Sequence, residues 1–131
     1  MQARTLPIAL TPGDPCGIGP EIIARAWREQ AQLVRGCFVA GDVGVMRRAM
    51  ALLCGDVPFP VVAIEAPAEA WSLPPGCLPV LQVVAPAPVL PWGVVDARAG
   101  QLAGECVLWA TRAALRGEVA AVVTAPLHKE A

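Results

Sequence analysis

The residues best suited to chemistry lie near the amino terminus, in the run Thr11-Pro-Gly-Asp-Pro-Cys-Gly-Ile-Gly-Pro-Glu21. Gly13, Gly17 and Gly19 let the backbone turn tightly, while Pro20 and Glu21 mark the first turn of a helix. A strand, a glycine-punctuated loop and a helix N-terminus together present backbone N–H groups to a phosphate or carboxylate. Gly13, Asp14, Gly17 and Gly19 are therefore the candidate cofactor- or anion-binding positions. The spacing is neither the G-x-G-x-x-G of a dinucleotide fingerprint nor the G-x-x-x-x-G-K-[ST] of a P-loop. The same glycines also suit a plain tight turn capped by Asp14. A carboxylate at a helix N-terminus is stabilised as the anion, so Asp14 reads as an acceptor that organises the loop or a cofactor, not as an acid catalyst. Cys16 precedes the helix start, where a thiolate would be stabilised.

A second group of polar residues closes the sequence, Thr124-Ala-Pro-Leu-His-Lys129. Lys129 is a candidate substrate contact, a point charge for phosphate or carboxylate, with a solvated loop lysine as the alternative. Thr124 can support that loop through its hydroxyl. His128 is the single histidine of the chain and reads as a polar loop residue. No residue of the chain is assigned as a metal ligand. Asp42 and Asp96 are placed to cap helices or turns. Trp27, Trp71, Trp92 and Trp109 read as core or interface anchors rather than stacking platforms, because no basic residues interleave with them.

The elements that must position these groups follow from the apolar pattern. Residues 6–11 form a buried strand that ends at the Thr-Pro-Gly-Asp-Pro turn. Ile22, Ile23, Ala26, Trp27, Leu33 and Val34 recur at helical spacing, which predicts a helix from Pro20 to near Arg35 and Gly36. Residues 37–40 predict a second strand, Asp42 an N-cap, and residues 43–53 a second helix closed by Gly55. Residues 61–64 and 80–84 are further strand candidates whose pairing the sequence leaves open, between proline-rich connections. Residues 99–116 predict a third helix with Leu102, Cys106, Trp109 or Ala110, and Ala113 on one face; residues 119–124 predict a last strand. Alternating strands and helices imply a largely parallel sheet covered on both faces, with ligands beyond the carboxyl ends of strands. The loops after the first and last strands, residues 11–19 and 124–129, are the two that meet this requirement.

Composition narrows the classes of function. The 131 residues carry 10 Lys and Arg against 11 Asp and Glu, a net charge of −1 that excludes electrostatically driven nucleic-acid binding. Charged residues are 16% and hydrophobic residues 56%, which excludes disorder. So much apolar sequence in one small domain suggests that another domain or subunit covers part of its surface. The long uncharged stretch 70–95 is broken by six prolines and is not a membrane helix. No signal peptide is legible, so the expected location is cytoplasmic. Five widely spaced cysteines without a C-x-x-C pair read as reduced thiols rather than a zinc site or disulfide framework.

The run from Thr11 to Glu21 closely resembles the N-terminal signature of the 4-hydroxythreonine-4-phosphate dehydrogenases of pyridoxal phosphate (vitamin B6) synthesis, in which Ala is usual at the position of Cys16. Ala99-Gly-Gln-Leu-Ala-Gly-Glu105 and Thr124-Ala-Pro-Leu-His-Lys129 resemble that family's later signatures, in the same order. A shorter form of the first motif opens the isocitrate and isopropylmalate dehydrogenases, the more distant match. The resemblance implies an α/β/α layered, largely parallel fold like theirs, incomplete here, with residues 1–131 as the N-terminal portion of a larger two-domain dehydrogenase. It also implies NAD, a divalent metal (Zn, Mg or Co), a homodimer, and oxidation with decarboxylation of 4-phosphooxy-L-threonine or a related phosphorylated hydroxy acid. Relatives also handle 4-phosphorylated sugar acids and non-phosphorylated diols. The family's three histidine metal ligands and its substrate-binding His-Thr pair would follow Ala131, and His128 is not among them. The chain alone is therefore expected not to turn over substrate. The alternative is a non-catalytic nucleotide- or phosphate-binding remnant of the family.

Overall fold

A computed structural model describes residues 5–55, 57–86, 92–94 and 96–125. Five strands, β1 (Ile8–Thr11), β2 (Cys37–Gly41), β3 (Val61–Ile64), β4 (Leu78–Gln82) and β5 (Ala121–Thr124), form one sheet in the order β3-β4-β2-β1-β5. Every pairing is parallel, with Leu10 opposite Val39 of β2 on one side and Val123 of β5 on the other. The strands are short and rich in Val, Ile, Leu and Ala, the composition of strands buried on both faces.

Helices α1 (Gly19–Glu29) and α2 (Val43–Cys54) cover one face of the sheet, and α3 (Ala97–Leu115) covers the other. Ile23, Ala24 and Trp27 of α1 and Met46, Ala49 and Met50 of α2 bury against Val39, Leu78 and Val80. On the opposite face Ala110 and Ala113 of α3 meet Ala9, Phe38 and Ala40, and Trp109 stands edge-on to Phe38 at 6.3 Å between ring centres. The small residues along α3 let its axis lie close to the sheet, while the two rings fill the remaining space. This is the expected α/β/α layering.

Several boundaries differ from the sequence reading, each for a local reason. Helix α1 stops at Glu29, because Gln30 leaves helical geometry (φ −129°, ψ 49°) while still donating its N–H to Ala26. Leu33 is 76% exposed and does not continue the apolar stripe; only Val34 folds back onto the core. The chain enters β2 through Gly36, whose φ of +78° and close approach to the Trp71 ring both demand glycine. Strand β4 runs from Leu78 rather than Val80 and ends at Gln82, an exposed residue whose side-chain amide binds neighbouring elements. Helix α3 starts at Ala97, with Asp96 as the expected cap through its bond to the Arg98 N–H. Val119 is buried but precedes β5, which starts at Ala121.

The connections β1-α1-β2 and β2-α2-β3 use one face, whereas α3 brings the chain to β5 across the other. Helix α1, which follows β1, and helix α3, which leads into the neighbouring β5, thus lie on opposite faces, the arrangement at which parallel sheets place a ligand crevice beyond their carboxyl ends. β5 is an edge strand with little cover: Val123 is 52% exposed, and Leu115 at the end of α3 is 83% exposed. Among the described residues no helix is long and apolar enough to cross a membrane. All five cysteines are free thiols, as expected.

Candidate functional site

Thr11 ends β1 and Thr124 ends β5, opposite each other in register. The loop leaving Thr11 is pinned at the crevice. Ala125 N–H donates to the Thr11 carbonyl at 2.9 Å, and the buried Pro12 ring lies where a Cβ on Gly41 would meet it at 3.1 Å. Gly13 takes a φ of +72°, which turns the chain toward Asp14. The Asp14 carboxylate is buried and accepts the Cys16 N–H at 2.8 Å, while the Asp14 carbonyl accepts the Gly17 N–H at 3.0 Å. Asp14 therefore organises the loop, the first of the two roles its sequence position suggested.

Gly19 opens α1 in a position no other residue fits, since a Cβ there would lie 1.9 Å from the Pro12 carbonyl oxygen. The close approach brings the first turn of α1 against the end of β1. The helix start has no side-chain cap, and its first turn contains Pro20, so Gly19 and Glu21 hold the N–H groups that lack an acceptor within the helix. Gly17 differs from Gly19: a Cβ there would make only ordinary contacts, 3.5 Å from the Asp14 carbonyl. Thr11 Oγ1 is buried without a hydrogen-bond partner among the described residues. The uncapped helix N-terminus lies beyond the end of β1, while Thr11 shares the α3-facing side of β1 with Ala9, so its unsatisfied hydroxyl is on the opposite face of the sheet from α1.

Cys16 corrects the sequence reading. It is 2% exposed and packs against Ala99 of α3, and its carbonyl accepts the Gly93 N–H at 2.6 Å. Burial, then the nearby carboxylates of Asp14 and Asp96, push its thiol up, not down. The pull of the helix dipole toward thiolate is outweighed by desolvation and by two negative neighbours.

Around the loop the structure adds contacts that the sequence did not suggest. Asp42 caps α2 through the Val45 N–H at 2.9 Å, as expected, and also accepts from Gln82 Nε2 at 2.6 Å. Gln82 in turn accepts the Val43 N–H at 2.8 Å and donates to the Val84 carbonyl at 2.9 Å. This clamp ties the carboxyl ends of β2 and β4 to the start of α2. An Asp after a strand is a readable cap, but nothing in the spacing of residues 42 and 82 announces their pairing. Arg48 lies 4.0 Å over the Trp92 ring, so a basic residue does stack on this tryptophan, which the sequence reads as a core or interface anchor rather than a stacking platform. Arg98 pairs with Asp96 at 2.9 Å and, chiefly by its hydrogen bond, holds that carboxyl down at about 2.

The structure thus brings the loop of Gly13, Asp14, Gly17 and Gly19 together with Thr124 beyond the carboxyl ends of β1 and β5. His128 and Lys129 lie outside the described residues. Among the described residues no group of three or more His, Cys, Asp or Glu side chains could hold a metal ion.

Comparison with known proteins points the same way as the motifs. The family model of the pyridoxal phosphate biosynthetic protein PdxA matches residues 33–131. D-threonate 4-phosphate dehydrogenase of Salmonella typhimurium is 43% identical across 100% of this chain, which spans 39% of that protein. 4-hydroxythreonine-4-phosphate dehydrogenase of Trichlorobacter lovleyi is 38% identical across 95% of the chain and 37% of its own length. The crystal structure of 4-hydroxythreonine-4-phosphate dehydrogenase from Klebsiella pneumoniae superposes with a TM-score of 0.82 at 41% identity, over 96% of this chain and 38% of that one. The chain thus spans under two fifths of the length of these relatives.

Proposed function

The chain belongs to the family of the pyridoxal phosphate biosynthetic protein PdxA, and from that premise we propose that it supplies the N-terminal α/β portion of a two-domain, NAD- and metal-dependent dehydrogenase. The reaction is oxidation with decarboxylation of 4-hydroxythreonine 4-phosphate or a related phosphorylated hydroxy acid in vitamin B6 synthesis. The relatives support that substrate class, since two of them are named as dehydrogenases of D-threonate 4-phosphate and of 4-hydroxythreonine 4-phosphate. A homodimer and a cytoplasmic location belong to the same reading.

The observation that carries the proposal is the uncapped N-terminus of α1, held against the end of β1 by the close approach of Gly19 to the Pro12 carbonyl. Such a site accepts an anionic oxygen, which fits a phosphate of NAD. NAD, when bound, supplies the hydride acceptor. The Gly19 and Glu21 N–H groups donate to the phosphate, Gly17 leaves the loop surface open to it, and Gly13 and Asp14 hold the loop in shape. Lys129 draws the phosphate or carboxylate of the substrate toward the crevice. The described residues do not fit a metal, and none of their roles runs through one.

An assay with NAD, a divalent cation and either phosphorylated substrate tests this reading. NADH formed by the polypeptide at the length its cell makes it, and none by residues 1–131 alone, is the expected result. No NADH at the cellular length contradicts it and leaves the phosphate-binding remnant; NADH from residues 1–131 alone contradicts the division of labour.

A further inference from the structure

At the opposite end of the sheet, beyond the amino ends of β2 and β4, lies a cavity of about 280 Å³. Its walls come from the turn after α1 and from the connection between β3 and β4, segments that take no part in the crevice. Trp27, itself only 5% exposed, Trp71 and Pro75 are among its lining residues. Arg35 is its one charged lining residue, exposed and without an ion pair among the described residues, and no carboxylate lines it. Burial pushes the thiols of Cys37 and Cys77 up, so neither opposes an anion at neutral pH. Trp71 Nε1 is buried without an acceptor, the second such side-chain atom among the described residues. The Trp71 ring is held in place by its contact with Gly36, where a Cβ would come within 2.3 Å of it.

We propose that this cavity is a second ligand site, built for a small planar aromatic carboxylate. The ring lies against the indoles, and the carboxylate meets the guanidinium fork of Arg35, whose planar donors match its two oxygens. The volume suits a one- or two-ring molecule and is too small for a dinucleotide. The site is independent of the dehydrogenase reading, because it shares no residue with the crevice.

Titration of the purified protein with indole-3-carboxylate, followed by the indole N–H resonances of its four tryptophans, tests the proposal. Saturable shifts at Trp27 and Trp71, with Trp92 and Trp109 unmoved, are expected. Arg35→Gln, at an exposed position, should weaken the carboxylate about fivefold, the upper range for a surface ion pair, and leave indole-3-carboxamide unchanged. Absence of saturable shifts, shifts confined to Trp92 or Trp109, or equal carboxylate affinity in Arg35→Gln would each overturn it.

Discussion

At the scale of single residues, position in the loop decides what each glycine and cysteine does. Gly19 and Gly17 are two residues apart, yet only Gly19 faces a backbone oxygen at 1.9 Å from its would-be Cβ. Gly19→Ala should therefore lower stability by about 1–3 kcal/mol through overpacking, whereas Gly17→Ala should melt within the error of wild type; thermal unfolding of the two variants separates them. The cysteines divide by burial. Cys16, Cys37 and Cys106 are buried, Cys54 and Cys77 only partly. Native-state alkylation read by mass spectrometry should label Cys54 and Cys77 before the other three, and early labelling of Cys16 would contradict the raised thiol described above. Cys106, on the buried face of α3, is pushed from an ordinary value of 9.0 up to about 12, first by burial and then by the charges of Glu105 and Asp42. Its folded thiol stays neutral where the unfolded one ionises, so the unfolded chain binds fewer protons between those values. Stability is expected to fall as pH rises from about 9 toward 12, and Cys106→Ala should flatten that slope in denaturant titrations; an unchanged slope would contradict the assignment.

At the scale of elements, most of the strand and helix order is legible because apolar periodicity and terminators agree. Asp42 and Asp96 before helices, Gly55 and Gly117 after them, and β-branched runs between them mark units that the structure keeps. The sequence misled where apolar residues continued past the end of an element: Leu33 extends the helical spacing of α1 but points into solvent, because Gly36 must turn the chain into β2. The pairing of β3 with β4 and of β4 with β2 was beyond local pattern, since strand order is set by packing between segments far apart in sequence. The loop of the candidate site was legible as a motif, while the burial of Cys16 under Ala99 and the Asp42–Gln82 clamp depend on contacts that only the folded chain creates. That clamp carries a prediction. Asp42→Ala removes the cap of α2 and leaves the Gln82 amide short of an acceptor, so it should cost about 1–2 kcal/mol in chemical denaturation. Asp42→Asn keeps a capping oxygen and should cost less.

At the scale of the whole molecule, one end of the sheet gathers the anion-seeking features and one edge is left bare. The parallel order β3-β4-β2-β1-β5 sets the carboxyl ends of β1 and β5 side by side, with α1 and α3 on opposite faces, which is why a loop signature at residue 11 and another near residue 124 arrive at the same crevice. The bare edge is β5, where Val123 and the nearby end of α3 expose apolar surface of the kind a further domain or subunit covers. Residues 1–131 alone should accordingly self-associate as concentration rises in light scattering, and Val123→Lys should reduce it. The central claim is that the loop leaving β1 seats an anionic cofactor, and calorimetric titration of NAD into the wild-type protein and Gly17→Asp tests it most directly. A Cβ at Gly17 makes only ordinary contacts, all with Asp14, so the melting temperature of the variant is measured first to establish that it is folded before its binding is read. Saturable binding to wild type that falls by more than about tenfold in the folded variant is the predicted result; no binding to wild type, or equal binding to both, would contradict it.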